Sequence, residues 1–155
     1  MNRTISLMTV MMNLGTTCDL VSGFYHLSVS QSEFTGYLSF SLFPGAAQAW
    51  GSFTIGSKIG TIRVDGISGL ADGEERSFGW RSEDDETKKL KFGRGCDGRF
   101  VFDGQGEVRG CFFGLMDGEA IEFEGDREGI VEDPLEFGEF QDEWDDFPRR
   151  AYGRT

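Results

Sequence analysis

Short runs along this chain alternate apolar and polar residues with a period of two. Phe100 and Phe102 alternate with Arg99, Val101 and Asp103, and Ile121 and Phe123 alternate with Glu122 and Glu124. Between these runs Val108 and Phe112 share one parity, with Gly110 between them. Upstream, Tyr25, Leu27 and Val29 alternate with His26, Ser28 and Ser30, and Leu38, Phe40 and Leu42 with Ser39 and Ser41. Phe53 and Ile55 share a face, as do Ile62 and Val64, and then Phe78 and Trp80. Such alternation marks half-buried strands, because successive side chains of a strand point to opposite sides. The runs are separated by turn chemistry: Pro44-Gly45, the Gly56 to Gly60 hairpin, and five Asp-Gly pairs. Asp97-Gly98, Asp103-Gly104 and Asp117-Gly118 read as tight turns, since Asp-Gly supplies the positive φ that hairpins need.

The pattern predicts an all-β fold: an antiparallel up-and-down meander of about eight or nine strands from about Phe24 to Glu124. A meander of this length removes its exposed edges by closing, so a closed or nearly closed barrel is expected, with a two-sheet sandwich as the alternative. Residues 1–22 read as an irregular lead-in, 23–128 as the barrel and 129–155 as an acidic tail. Phe40, Phe78, Trp80, Phe92, Phe100, Phe102, Phe112 and Phe123 are expected to point inward and fill the barrel, with Gly93 and Gly110 as the inward positions where space remains.

The tail changes period. Asp133-Pro134 reads as a helix N-cap and first helical residue. Phe137, Phe140, Trp144 and Phe147 then recur at helical spacing on one face, and Pro148 is expected to end the helix. Gly138 weakens the pattern. A short helix with an aromatic stripe is marginal alone, so the stripe is expected to dock, either on its own barrel, closing one end or covering an outer face near Trp50, or on another protein.

Composition sharpens this picture. The 15 Phe and 3 Trp among 155 residues supply a bulky core, and 23 Gly against 3 Pro fits many turns. The net charge of −12 disfavours a nucleic-acid partner. The acidity is concentrated: residues 119–155 hold 13 acidic against 4 basic residues. Cys18, Cys96 and Cys111 form no close pair and no metal-ligand spacing, so free thiols in a reducing compartment are expected. Ile5–Leu14 follows Arg3 as in a secretory signal, but Ser6, Thr9 and Asn13 interrupt it, no small-x-small cleavage site follows cleanly, and it is too short to span a membrane. A cytoplasmic or nuclear location is expected, with secretion the lesser alternative.

Chemistry is sparse. Trp80-Arg81 beside Glu83, Asp84, Asp85 and Glu86 offers carboxylates near an arginine, yet Lys88 and Lys89 follow as in an ordinary charged hairpin tip. His26 is the only histidine and lies among serines, without metal-ligand spacing. Cys96 and Cys111 have no histidine close in sequence to activate them, although Arg94, Arg99 and Arg109 lie nearby. Gly56-Ser57-Lys58 lacks the phosphate-loop pattern. Trp50 and Tyr37 fall on the parity opposite their strands' apolar residues, as an aromatic platform or as packing under a loop or the tail helix.

Several motifs in order carry a resemblance: Trp50-Gly51-Ser52-Phe53, Gly56 to Gly60, Phe78-Gly79-Trp80-Arg81, Phe123-Glu124-Gly125 and Glu143-Trp144-Asp145. Together they resemble a family of fungal all-β proteins with no established activity, over roughly residues 23–147. The chain reads Ser82-Glu83-Asp84 where that family tends to read Gly-Arg-Glu. The resemblance implies a fungal origin and no mechanism.

No catalytic, cofactor or metal set emerges. The first reading is a non-enzymatic barrel acting as an interaction or structural module, with a protein partner. The alternative is a small-ligand carrier resembling lipocalin- or avidin-like barrels, holding a small apolar ligand; an enzyme is the third. The residues singled out for partner or ligand contact are Trp50, Trp80, Arg81, Phe140, Trp144 and Phe147. Neither nucleic acid nor membrane is expected as a partner.

Overall fold

The computed structural model describes residues 21–29, 35–43, 47–66, 70–116, 119–131 and 135–152. The alternating runs form β1 (Gly23–Val29), β2 (Thr35–Ser41), β3 (Gln48–Ile55), β4 (Lys58–Asp65), β5 (Arg76–Asp84), β6 (Leu90–Lys91), β7 (Asp97–Phe102), β8 (Glu107–Met116) and β9 (Glu119–Gly129). Helix α1 (Phe137–Tyr152) ends the described chain. Each strand pairs antiparallel with the next around a ring, β1-β2-β3-β4-β5-β7-β8-β9, and β9 returns to β1. The eight-stranded barrel is therefore closed, and β6 is a short addition pairing with β5 at Ser82↔Lys91 and Glu83↔Leu90.

The expected inward parity holds along the ladder, and the interior is solid. Phe40, Phe53, Phe78, Phe100, Phe102, Phe112 and Phe123 are buried and interlock. Ring centroids are 4.8 Å apart for Phe53–Phe112, 5.1 Å for Phe78–Phe112, 4.9 Å for Phe100–Phe102 and 5.2 Å for Phe40–Phe102. An eight-stranded barrel is just wide enough for side chains to fill, and here tilted and edge-on rings do so. Gly110 leaves no space: a Cβ there would lie 2.9 Å from the Phe123 ring and 2.1 Å from the Arg99 carbonyl oxygen.

Besides Gly110, four expectations need correction. Phe92 is outside the barrel, half-buried, with its ring 5.9 Å from Tyr152. It follows the last ladder pair of the two-residue β6, so strand parity does not extend to it. Gly93 sits in an exposed turn, with nothing within 4 Å of the Cβ position. Asp97-Gly98 opens β7 and makes no turn, because Gly98 serves close approach: a Cβ would lie 2.3 Å from both the Phe78 ring and the Cys111 carbonyl oxygen. Pro148 lies inside α1 and does not end it. Asp103-Gly104 does form the β7–β8 turn, with Gly104 at φ +75°. Asp117-Gly118, Asp133-Pro134, Pro44-Gly45 and Cys18 lie outside the described residues, as does the lead-in up to residue 20.

Trp80 points inward and locks the irregular part of the ring. Its indole N–H donates to the Asp97 and Phe113 carbonyls, each at 3.0 Å. The β8–β9 register shifts between Phe112 and Met116, and Gly114 sits there at φ +78°. A bulge leaves carbonyls without ladder partners, and Trp80 satisfies one of them from within.

At the same end of the barrel Asp84 ties β5 to β4. It accepts from Lys58 Nζ at 2.6 Å, Ser57 Oγ at 3.2 Å, and the Glu86 and Thr87 backbone N–H groups at 2.9 and 3.1 Å. The Lys58 ammonium, together with these donors, holds the carboxyl well below the usual carboxylate range. A carboxyl whose folded-state pKa is depressed stabilises the fold above its unfolded pKa, near 4, and loses that contribution as pH falls through the folded value. Asp84→Asn should therefore unfold earlier in urea than the natural chain at pH 7, and the gap should close progressively below about pH 4. A gap unchanged between neutral and acid pH would refute the assignment.

Candidate functional site

Five of the six residues singled out by sequence meet at one seam, where α1 lies across the outer face of β3, β4 and β5. Trp50 projects outward from β3 and is fully buried beneath the helix. Its ring stacks on Phe140 at 6.0 Å and meets Trp144 edge-on at 5.9 Å, and Phe137 and Phe43 complete the cluster. Phe147 is buried one turn further on. Gly79 on β5 lies beneath the Trp144 ring, where a Cβ would meet it at an ordinary contact distance of 3.5 Å. Of the two sequence readings of Trp50, platform or packing, the packing is what the structure contains. Trp80 is the sixth residue and lies apart, inside the barrel.

Arg81 explains how a proline sits inside α1. Pro148 has no N–H, so the Trp144 carbonyl, four residues earlier, loses its helical donor. Arg81 Nη1 donates to that carbonyl at 2.5 Å. The same guanidinium stands 4.3 Å from the Trp144 ring centroid, and Arg63 lies 4.9 Å from it on the other strand. Burial, then the neighbouring Arg63 charge, press the Arg81 pKa below its ordinary value, with Asp145 opposing. Arginine still stays charged, so Trp144 is clasped by two cations. Arg150 closes the far end of α1 with an ion pair to Glu83.

This geometry predicts a measurable coupling. Arg81→Ala should cost about 1.5–3 kcal/mol, the range for a hydrogen bond from a charged donor. In a Pro148→Ala background the helix supplies its own donor to Trp144, so the same change should cost clearly less. Equal costs in both backgrounds, measured by urea denaturation, would show that Arg81 does not substitute for the missing N–H.

The remaining sequence candidates are placed plainly. Asp84 is not an exposed acid but a fully partnered one, Asp85 pairs with Lys88 at 3.2 Å, and Glu83 with Arg150. Cys96 and Cys111 are free thiols, and burial raises the pKa of both, which opposes thiolate chemistry. His26 meets Tyr37 edge-on at 5.4 Å on the outer surface. No cluster of three or more His, Cys, Asp or Glu residues suited to a metal occurs among the described residues. No described helix is long and apolar enough to cross a membrane.

Opposite α1, the outer face of β7, β8 and β9 is uncovered among the described residues. It forms a groove of about 630 Å³ lined by Val101, Cys111 and Phe113 at its floor, with Arg99, Arg109, Glu122 and Glu124 around them. The ladder sets this grouping: Val101 lies opposite Arg109, Arg109 opposite Glu124, and Cys111 opposite Glu122. Arg99 pairs with Glu75 at 3.1 Å and lies 5.4 Å from the Phe113 ring. A second hollow of about 390 Å³ continues it past Arg109 towards His26.

Comparison with protein-family models, curated proteins and solved structures returns no match.

Sequence reasoning weighed Arg99 and Arg109 only as neighbours of a thiol. The signal that marks this groove is apolar residues on the outward parity, Val101 and Phe113, in strands whose outward neighbours are charged. Outward apolar residues are noteworthy in a barrel where the inward face is already full.

Proposed function

We propose that this protein is a non-enzymatic interaction module that presents the outer face of β7, β8 and β9 to a protein partner. The observation that carries the reading is the distribution of its surfaces. The interior is filled by aromatic rings, and β3 to β5 are covered by α1. The groove on β7–β9 combines half-buried apolar residues with arginines and carboxylates of both signs. Arginine and aromatic side chains around an apolar centre are the composition of interface hot spots. The net charge of −12 argues against nucleic acid, and the free thiols fit the cytoplasm or nucleus. The filled interior weighs against carriage of a ligand within the barrel.

The reading is tested with a photo-crosslinking amino acid at Arg109 and, as control, at Ser39 on β2, in extracts of the cells that make the protein. A discrete protein adduct from position 109 alone, lost when Arg99 is changed to Glu, is expected. Adducts from both positions, or from neither, would overturn it.

A further inference from the structure

At the barrel end away from Asp84, Arg127 is an arginine on the inward parity of its strand. It continues the inward parity of Ile121, Phe123 and Gly125 on β9, where a hydrophobic residue would complete the pattern. Its backbone N–H donates to the Gly106 carbonyl at 2.7 Å, which fixes the strand end. Its side chain lies over Gly23, where a Cβ would sit 2.5 Å from Nε. The register between β1 and β9 shifts at Phe24/Tyr25, beside this residue. Glycine and bulge together make room for a guanidinium. Yet Nε is buried with no hydrogen-bond partner, and the side chain makes no ion pair among the described residues. The nearby Tyr25 hydroxyl is engaged in donating to the Val21 carbonyl at 2.6 Å. A guanidinium cannot shed its charge, and burying part of it unpaired is costly.

Arg127 lines a cavity of about 480 Å³ whose other walls are mainly apolar: Phe40, Leu42, Phe43, Val131 and Leu135. Ile130 on its rim is 78% exposed, and Glu136, also on the rim, is exposed to water. A largely apolar hollow of a few hundred Å³ with a few polar groups, here Arg127 with Ser22, Ser41 and Glu136, is the form of a small-molecule site. A fork of N–H donors selects a planar anion that accepts two bonds at once, and the walls select a hydrocarbon body. We propose that this end pocket binds a small amphiphilic carboxylate, with the carboxylate on Arg127 and the apolar body against Leu42, Phe43 and Val131. The site lies outside the filled lumen and is independent of the β7–β9 groove.

The test is calorimetric titration of the full chain with decanoate and with decanol. Decanoate should bind saturably at a single site, and decanol at least tenfold more weakly, because a charge-assisted pair is worth roughly ten- to a hundredfold in affinity. Arg127→Gln should weaken decanoate at least tenfold and leave decanol unchanged, while Arg127→Lys, which keeps the charge, should retain part of the affinity. Unchanged circular dichroism of both variants shows that the barrel persists; if the Gln variant fails to fold, the Lys variant and the decanol comparison still decide. No saturable binding, or equal binding of acid and alcohol, would overturn the proposal. Vesicles of phosphatidylglycerol test the other source of such chemistry: they should not cosediment the protein, and Arg127-dependent cosedimentation would replace a free acid by a membrane surface and overturn the assignment.

Discussion

Phe112→Ala is expected to lower the stability of the barrel by about 3–5 kcal/mol, the range for emptying a large aromatic site in a packed core. Phe112 is fully buried and touches the rings of Phe53, Phe78 and Phe123, at 4.8, 5.1 and 5.4 Å. These rings come from β3, β5 and β9, so the cavity would loosen three walls at once. The loss is a large fraction of the roughly 5–15 kcal/mol that holds a typical domain folded. The neighbouring Phe113 faces outward and is half-buried, beside Arg99. Phe113→Ala should cost less than half as much. Urea midpoints for the two variants that move equally would contradict the inward parity of β8.

A chain ending at Val131, without α1, should melt well below the full chain. Phe140, Trp144 and Phe147 are each buried on the barrel, and burial of such side chains is worth about 1.5–3 kcal/mol apiece. The ordering entropy of the helix offsets part of that gain, leaving a loss of several kcal/mol. Truncation would also uncover Trp50 and release Arg81 and Arg63 from Trp144, leaving an apolar patch that favours association. An unchanged melting temperature would mean that the helix contributes nothing to its own barrel.

Much of the fold was legible because the side-chain period of a strand is two. Phe40, Phe100, Phe102, Phe112 and Phe123 could be assigned inward from alternation alone, and the connections between them are short enough to dictate an up-and-down order. The failures share a physical cause: they occur where the local rule gives way to tertiary contact. Gly98 follows an aspartate, as in a turn, but its glycine is needed to admit the Phe78 ring. Phe92 continues a parity that its two-residue strand is too short to enforce. Pro148 is a helix breaker by its own chemistry, and the residue that neutralises it, Arg81, is 63 positions away from the carbonyl it satisfies. The seam itself was partly legible, since Trp50 falls on the parity opposite its strand's apolar residues and the tail aromatics share one face of a helix too short to stand alone. The β7–β9 groove was not, because it is made by cross-strand neighbours such as Arg109 and Glu124, which only the register brings together.

Everything proposed for the β7–β9 face requires α1 to be fixed on the opposite face. Amide hydrogen exchange of the full chain tests this most directly. The amides of residues 140–147 should exchange as slowly as those of β3 to β5 beneath them, because undocking the helix exposes Trp50 along with its own aromatic stripe. Fast exchange across 140–147, with the barrel strands still protected, would contradict the account and make the aromatic face of α1 the binding surface instead.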